Sequence, residues 1–419
     1  MDKHTRQQIL SNCNAVPVEA LDIAIQDGHL SLEDLKQYQL HMDKVTALQQ
    51  LEDQREGILT VDPDPIVEAS SLPLFVEQKP IKRILNGELY AGEIDLLIKS
   101  KELSYTDLEE AGLSKSVLNS LQYFGSMASN VVFNNIEDLP AMEEGRTDVY
   151  MVGMSASGKS TMMAGLFKSI YKNGIMVSDT YNTAGNIYVE QLKRNLDYGV
   201  LPPGTARGSY NYIATSIKDS QNRTHPFNIV EVPGESYERI FREGFNPVDR
   251  SNYVGGFIDY VKNKNKKILV FVIDSLGHYK RFEDPNSFNT PDQGMVYSNI
   301  ISMFQDHKIL DRTDAIYFVV NKFDALKKRK YSQDNRPDVE IASDFINEEF
   351  RSLLEQAKTA RENSRNKFKI KVFPFSIGEI LYEKILTRFD ERDPNELVKN
   401  LLEDSFVVQG GAFWKKILR

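Results

Sequence analysis

The sequence predicts an α/β protein in which a doubly wound sheet follows an N-terminal all-α region. Three observations predict this fold. From about residue 146, short apolar runs of strand length alternate with helical patterns. The first of these runs, DVYMV, enters a glycine-rich turn, GMSASGKS, from which an amphipathic helix leaves. Before residue 146, one helical pattern occurs twice.

Composition is that of an ordinary globular protein, and it restricts the partners. The 419 residues are 41% hydrophobic and 26% charged. This length predicts two or three domains, which we place at 1–59, at 60–145 including a proline-rich linker, and at 146–419. The formal net charge is −9. Because an acidic surface repels phosphate backbones, we do not expect nucleic acid as a partner.

Nothing in the chain resembles an export signal or a membrane anchor. Its start, MDKHTRQQIL, has no apolar signal-peptide core. The longest apolar runs, such as ILVFVI, are too short to span a bilayer. The single cysteine, Cys13, excludes an internal disulfide and suits a reducing compartment. We therefore expect a cytoplasmic protein without a membrane span.

The repeat in the first third predicts two small helical units. Residues 17–51 align without gaps on residues 90–124. In each copy a serine, Ser31 or Ser104, can cap a helix, with an aspartate three residues later. Each copy reads as a helical hairpin that must bury its apolar side on the other copy or on a neighbour. Two roles stay open: a helical packing domain, or an adaptor that binds a protein partner through residues 1–145.

Six apolar runs predict the strands of the sheet, and the motifs follow the ends of these strands. Most runs are continuous rather than alternating, as expected of strands that are covered on both faces. Ligands of such folds bind at the carboxyl ends of the strands. The predicted strands are residues 148–153, 210–218, 226–232, 267–274, 314–321 and 369–376.

The turn GMSASGKS, residues 153–160, has the spacing of a phosphate-binding loop, G-x-x-x-x-G-K-S. Its second glycine lets the backbone approach phosphate oxygens, and successive N–H groups and the helix N-terminus face the anion. We expect Lys159 to reach the β- and γ-phosphates and Ser160 to offer its hydroxyl to Mg²⁺. The predicted phosphate-binding residues are Gly153, Ser155, Ala156, Ser157, Gly158, Lys159, Ser160 and Thr161.

The third predicted strand ends in NIVEVPGE, residues 228–235. An acidic residue at a strand end can hold Mg²⁺ directly or through water, and we assign this role to Glu231. The Pro-Gly step can let the Gly234 N–H meet the γ-phosphate. The motif is also typical of an ordinary strand-terminating turn, so both interpretations stay open.

The fifth predicted strand ends in VVNKFD, residues 319–324, and this motif predicts recognition of guanine. Guanine offers two donors, at N1 and at its 2-amino group, and one carboxylate can accept both, whereas adenine lacks the amino group. We expect Asp324 to read the base and Asn321 to hold the loop. The Lys322 stem can cover the plane of the base.

The last predicted strand ends in FPFSIGE, residues 373–379. The backbone N–H groups of Ser376, Ile377 and Gly378 can point to the guanine O6. The pattern is weak by itself and gains its value from its position at the final strand end.

These four motifs, in this order, resemble those of the Ras-like and translation-factor-class GTPases. The resemblance covers about residues 146–390. It implies a P-loop GTPase fold: a mixed, mostly parallel six-stranded sheet in which the second strand is antiparallel. It also implies that Mg²⁺ and GTP or GDP bind at the C-terminal edge of the sheet.

A second stretch, VLPPGTARG at residues 200–208, is similar to the bacterial GTPases linked to conflict and defence systems, the double-GTPase families. This resemblance implies that Thr205 is the first-switch threonine, which binds Mg²⁺ and the γ-phosphate. Thr180 and Thr183 are alternatives, and a simple Pro-Pro-Gly turn is another interpretation. We can assign no arginine of the chain as an arginine finger; Arg207, beside Thr205, is the best candidate, and a partner could supply one.

Two acidic residues depart from the GTPase pattern and determine the expected activity. Glu231 stands where the second metal-site acid is usually aspartate, and Glu235 where a water-orienting glutamine is common. We assign Lys159, Glu235 and Thr205 as catalytic and Ser160, Thr205 and Glu231 as metal ligands. We expect a slow, Mg²⁺-dependent GTPase switch whose helical region recruits or senses a partner. The alternative is an assembly module that binds GTP or GDP and barely hydrolyses it, and a nucleotide-dependent homo-oligomer is also open.

Overall fold

The computed structural model describes residues 80–127, 133, 136–173, 175–178, 183–204, 210–243, 253–283 and 291–408, and six positions between Leu21 and Leu35. The chain divides into two compact units, Met1–Glu77 and Gln78–Arg419. The boundary that we predicted between residues 145 and 146 falls inside the second unit. Most of the first repeat copy lies outside the described residues.

In the first unit, the described residues include the predicted cap at Ser31. The Ser31 backbone N–H donates to Asp34 Oδ2 at 2.9 Å, and the Asp34 backbone N–H donates to Ser31 Oγ at 3.1 Å. This reciprocal pair is a capping box, which satisfies two backbone donors at the start of a helix. The predicted cap is confirmed.

The second repeat copy belongs to the helical module, which we define as residues 80–127. Its helices are α1 (Pro80–Leu85), α2 (Ala91–Lys99), α3 (Tyr105–Glu110) and α4 (Lys115–Gly125). Ser104 caps α3 as predicted, with its hydroxyl accepting from the Asp107 N–H at 3.2 Å. Ser114 caps a further helix, α4. The two helices of the predicted hairpin are thus α2 and α3, and Ser114 adds a third helix, α4, that we did not predict.

Seven strands form the main sheet, in the order β2-β3-β4-β1-β5-β6-β7. They are β1 (Thr147–Val152), β2 (Met176–Ser178), β3 (Asn211–Lys218), β4 (Thr224–Glu231), β5 (Lys266–Asp274), β6 (Thr313–Asn321) and β7 (Lys369–Phe375). β3 runs antiparallel to both of its neighbours, and the other adjacent pairs are parallel. The predicted α/β sheet, mostly parallel with one antiparallel strand, is confirmed.

The sheet has one strand more than the six that we predicted. The added edge strand β2 pairs with the end of β3 through three residues, and so short a run gives no periodicity to detect. A separate antiparallel hairpin, β8 (Gly378–Leu381) and β9 (Ile385–Phe389), follows β7. Its residues are largely exposed, so they form no continuous apolar run that would predict strands.

Helices cover both faces of the main sheet. Along β1, Val149 and Met151 belong to one hydrophobic core and Tyr150 and Val152 to another, since successive side chains of a strand point to opposite faces. Cover on both faces explains the continuous apolar runs. The helices are α5 (Lys159–Lys172), α6 (Thr183–Asp197), α7 (Gly234–Glu243), α8 (Tyr253–Val261), α9 (Ser275–Glu283), α10 (Gln293–Asp306), α11 (Phe323–Lys330), α12 (Asp338–Glu349), α13 (Arg351–Asn363) and α14 (Arg392–Glu403). No helix in the described ranges is both long and apolar enough to cross a membrane.

The helical module packs against two segments of the α/β part. Val200, just after α6, and Ile385 of β9 share a buried core with residues of the module. The Tyr123 hydroxyl of α4 donates to Asn195 Oδ1 of α6 at 3.0 Å. The Tyr123 ring also stacks on Tyr198, with the ring centroids 4.2 Å apart. The module therefore fixes the end of α6 and the hairpin that follows the last strand.

Candidate functional site

The glycine-rich loop between β1 and α5 is tied to the end of β6. The Asn321 side-chain amide donates to the Ser157 carbonyl at 2.7 Å. Gly158 has a φ of +89°, and a Cβ added there would clash with the Asn321 amide nitrogen. Only glycine fits this left-handed, closely approached position. The structure thus brings together the loop and Asn321, the residue that we expected to hold it.

Lys159 begins α5 and folds its side chain back over the loop. Its Nζ donates to the carbonyls of Gly153 at 2.7 Å and Met154 at 3.1 Å. Burial lowers the pKa of Lys159 to about 8, although the carboxylates of Glu231, Glu235 and Glu238 act in the opposite direction. A buried ammonium that donates to neutral carbonyl groups can gain an anionic partner such as a phosphate.

One polar atom inside the loop has no partner. The Ser157 side chain is 1% exposed, and among the described residues no group forms a hydrogen bond with its hydroxyl. A buried polar atom normally has a hydrogen-bond partner. Together with the buried cation of Lys159, this orphaned hydroxyl fits a loop that binds an anion.

Ser160 and Glu231, two of the three predicted metal ligands, are in direct contact. The Ser160 hydroxyl donates to Glu231 Oε1 at 2.5 Å. The other carboxylate oxygen, Oε2, accepts from the Tyr188 hydroxyl at 2.7 Å and from the Asn211 amide at 2.9 Å. Sequence reasoning missed Tyr188 and Asn211, which lie on α6 and β3. Asn211 is paired with Glu231 in the β3–β4 register, and the predicted hairpin could have suggested that pairing.

The start of α7 lies directly on the loop. A Cβ at Gly234 would clash with the backbone of Met154 and Ser155. The Ser155 backbone N–H donates to Glu238 Oε1 at 3.2 Å, and the Ser155 hydroxyl lies 3.4 Å from Glu235 Oε2. The carboxylates of Glu235 and Glu238, both on α7, thus lie at the glycine-rich loop. Sequence reasoning missed Glu238, although it follows Glu235 at helical spacing.

The predicted base-reading residues lie around the first turn of α11. Asp324 is partly exposed, and the structure gives its carboxylate no hydrogen-bond or ion-pair partner within the described chain. Lys322 has a φ of +57°, and its Nζ donates to Asp274 Oδ2 at 2.7 Å and to the Ala156 carbonyl at 3.3 Å. Asp274, at the end of β5, was not predicted; its charge at a strand end was the available signal.

The final loop has an internal acceptor that the sequence did not reveal. The Ser376 N–H donates to Asp393 Oδ2 at 2.8 Å. Burial raises the pKa of Asp393 to about 6. Ile377 is buried, and Gly378 begins β8. A base carbonyl would therefore compete with Asp393 for the Ser376 donor.

Thr205, Thr180 and Arg207 are outside the described residues. Thr183 begins α6, and Thr161 follows Ser160 within α5. The similarity of residues 200–208 to the double-GTPase families stays a prediction, as do the roles of these threonines.

No protein-family model and no curated protein matches the chain. Solved structures show weak similarity. A putative nucleolar GTP-binding protein 1 from Plasmodium falciparum is 12% identical, with 63% of this chain and 90% of that chain covered and a TM-score of 0.28. A signal recognition particle receptor complex, SRb-GTP/SRX, from Chaetomium thermophilum is also 12% identical, with 55% and 91% covered and a TM-score of 0.24. Similarities at this level support no inference about the function of this chain.

Proposed function

We propose that this chain binds GTP and GDP with Mg²⁺ and hydrolyses GTP slowly. The site is the edge formed by the glycine-rich loop (residues 153–160), the end of β4 and the end of β6. One observation carries the proposal. Asn321 ties the end of β6 to the loop at Ser157, while Asp324, three residues later, has a carboxylate without a partner in the described chain. The arrangement supports phosphate binding and guanine reading by one continuous site.

The metal part of the proposal rests on the donor set. Mg²⁺ prefers oxygen ligands and is usually held by one or two carboxylates together with substrate phosphates. Ser160 and Glu231 supply a hydroxyl and a carboxylate in contact. Within the described ranges, no group of three or more histidine, cysteine or acidic side chains could hold a metal alone. These residues therefore fit a cation that is shared with a nucleotide.

The chain's own residues have distinct roles in this mechanism. Lys159, freed from the loop carbonyls, would hold phosphate oxygens and stabilise the charge that develops on them. Ser160 and Glu231 would hold Mg²⁺, which neutralises phosphate charge when it is bound. Glu235 lies against the Ser155 hydroxyl, and an ionised carboxylate there can accept a proton but cannot donate one to a phosphate oxygen. Slow hydrolysis follows from this residue.

A second candidate function is an assembly module that binds nucleotide without hydrolysing it. The two carboxylates of Glu235 and Glu238 at Ser155 favour it, because they add negative charge where a terminal phosphate would lie. Phosphate release from a single turnover of GTP, with and without self-assembly, separates the two candidates. The partner-binding role of residues 1–145, the homo-oligomer and the cytoplasmic location stay predictions.

Asp324→Asn tests the proposed base reader. The amide replaces one of the two acceptor oxygens with a donor, so it opposes the guanine 2-amino group and suits the carbonyl that xanthine has at that position. We expect weaker GTP binding and stronger XTP binding than in the wild type, measured by titration with fluorescent nucleotides.

Asp306→Asn is the matched control, because Asp306 is an exposed aspartate at the end of α10, before β6 begins. It should leave the ratio of GTP to XTP affinity unchanged. An unchanged ratio in Asp324→Asn would place the base reader elsewhere. Absence of any guanine-nucleotide binding by the wild type would reject the proposed function itself.

A further inference from the structure

We propose that Tyr188 is a positioning residue that, together with Asn211, orients Glu231 for binding a divalent cation. The inference rests on the proposed function, since the cation is the one that accompanies the nucleotide. Tyr188 lies on α6, outside every motif of the sequence. Its hydroxyl donates to Glu231 Oε2 at 2.7 Å, and both side chains are almost fully buried.

The two oxygens of the Glu231 carboxylate have different hydrogen-bond partners and, we infer, different roles. Oε2 accepts from Tyr188 and from Asn211, and Oε1 accepts from the Ser160 hydroxyl. A carboxylate oxygen accepts about two hydrogen bonds, so Oε2 is fully used inside the protein. Oε1, which accepts from the Ser160 hydroxyl, is the oxygen that we assign to a cation or to a water bound to it.

A glutamate at this position needs such an anchor. Glutamate has one more rotatable bond than aspartate, so its carboxylate samples more positions unless contacts hold it. Hydrogen bonds to an ionised acceptor are the stronger kind. Partners that orient a metal ligand commonly change metal affinity when they are removed. Tyr188 and Asn211 thus compensate for the extra methylene of Glu231.

The position of Tyr188 is itself fixed by contacts at the other end of α6. Asn195 follows Tyr188 by seven residues, or two helical turns, so both lie on one side of the helix. Asn195 accepts from Tyr123 of the helical module, and Tyr198 stacks on the same ring. The C-terminal end of the helix that carries Tyr188 is therefore held by the helical module, which suits a positioning role.

The experiment measures cation binding directly. Wild type and Tyr188→Phe are loaded with GDP, and Mn²⁺ is titrated with detection by electron paramagnetic resonance. Tyr188→Phe keeps the ring and removes only the hydroxyl. We expect the Mn²⁺ dissociation constant to rise about tenfold or more, the lower end of the range for partners of metal ligands. GDP affinity in excess EDTA should stay within about twofold of wild type, below ~0.5 kcal/mol.

Tyr317→Phe is the matched control. Tyr317 is fully buried, and its hydroxyl also donates to a carboxylate, Asp404 Oδ2, at 2.7 Å. This variant loses the same kind of bond away from the loop, so its Mn²⁺ affinity should equal that of wild type. If Tyr188→Phe does not fold, Asn211→Ala replaces it, since it removes the second donor to Oε2 and should also weaken Mn²⁺ binding.

A double-mutant cycle separates positioning from a general structural role. In Glu231→Asp the shorter carboxylate no longer reaches the Tyr188 hydroxyl, so adding Tyr188→Phe should change Mn²⁺ affinity less than about twofold. Equal Mn²⁺ affinity of wild type and Tyr188→Phe, with GDP bound by both, overturns the inference and leaves the proposed function intact. A full additive loss in the Glu231→Asp background also overturns it. A wild type that binds no guanine nucleotide overturns both.

Discussion

The backbone N–H of Ser155 donates to Glu238 Oε1 at 3.2 Å. The donor belongs to the glycine-rich loop and the acceptor to α7. A carboxylate of the protein therefore accepts from an N–H group that we expect to donate to a phosphate. Glu235 approaches the hydroxyl of the same serine. Binding of a nucleotide at this loop would have to replace these contacts, and α7 would respond to the change.

Glu238→Gln should tighten GTP binding. The amide oxygen can still accept from Ser155, but the negative charge that opposes a phosphate is lost. We expect roughly three- to tenfold higher affinity at low ionic strength, about 1 kcal/mol, and a smaller gain at high ionic strength. Titration with a fluorescent GTP analogue measures it. Glu190→Gln, an equal charge change at an exposed position of α6, should show no gain; weaker binding in Glu238→Gln would contradict the competition.

Gly234→Ala should weaken nucleotide binding while the fold persists. A Cβ at this position would clash with the backbone of Met154 and Ser155, and backbone cannot move aside as a flexible side chain can. The start of α7 would have to move away from the loop, and with it the Gly234 N–H that we expect to meet the γ-phosphate. We expect at least about tenfold lower GTP affinity, or ~1.4 kcal/mol, by the same titration, with circular dichroism to verify the fold.

Gly92→Ala is the control for this change. Gly92 lies in α2, and a Cβ there would contact nothing within 4 Å. Alanine favours a helix more than glycine does, so stability should stay equal or rise slightly. Nucleotide affinity that is equally reduced in both variants would show a non-specific effect of the substitutions.

Binding of GTP should take up protons near pH 8 through Lys159. Burial lowers its pKa from 10.5 to about 8 in the free protein. An anionic phosphate favours the charged ammonium and raises that pKa, so binding at pH 8 should take up about half a proton from this group, and less below pH 7. Calorimetry in two buffers of different ionisation enthalpy measures the uptake.

Through Lys159, a rise in pH should affect the stability of the fold in the opposite direction to nucleotide binding. Because the folded state lowers this pKa, burial of the charged Lys159 costs stability below pH 8, and the cost disappears as pH rises from about 8 to 10.5. Lys267 also has a pKa of about 8, but it donates to carbonyls of Asn263 and Asn265 before β5. Its titration should therefore be equal in free and bound protein. No proton uptake at pH 8 would mean that Lys159 does not meet the nucleotide.

The sheet and the loop could be predicted from sequence because their signals are local. Continuous apolar runs follow from cover on both faces, and the predicted strand ends differ from the structure by at most two residues. We expected Asn321 to hold the loop, and its amide does contact the Ser157 carbonyl. The capping boxes at Ser31 and Ser104 were predictable for the same reason, since a cap involves residues three apart.

The missed features depend on distance along the chain. Tyr188 is 43 residues from Glu231, and Asp393 is 17 residues from Ser376. The residues around each of them show no pattern that would indicate these contacts. The edge strand β2 takes its pairing from β3 rather than from its own three residues. Glu238 is the exception, because its helical spacing from Glu235 was visible and its target, Ser155, was already assigned.

Hydrolysis should be slow in the purified chain, and Glu235 is the reason. A neutral glutamine can accept from an attacking water and donate to a phosphate oxygen at once, whereas an ionised glutamate can only accept. Its charge also lies close to the loop, 3.4 Å from the Ser155 hydroxyl. Unassisted small GTPases hydrolyse at about 10⁻⁴ to 10⁻³ per second, and we expect a rate in or below that range. Glu235→Gln should leave GTP affinity unchanged or raise it, as in Glu238→Gln, and should keep or raise the single-turnover rate. Glu190→Gln, with the same loss of charge on α6, should match wild type. Two results would contradict this expectation: turnover of several per second by the wild type, or loss of activity in Glu235→Gln. Either result would instead make Glu235 the catalytic base, a carboxylate that accepts the proton of the attacking water.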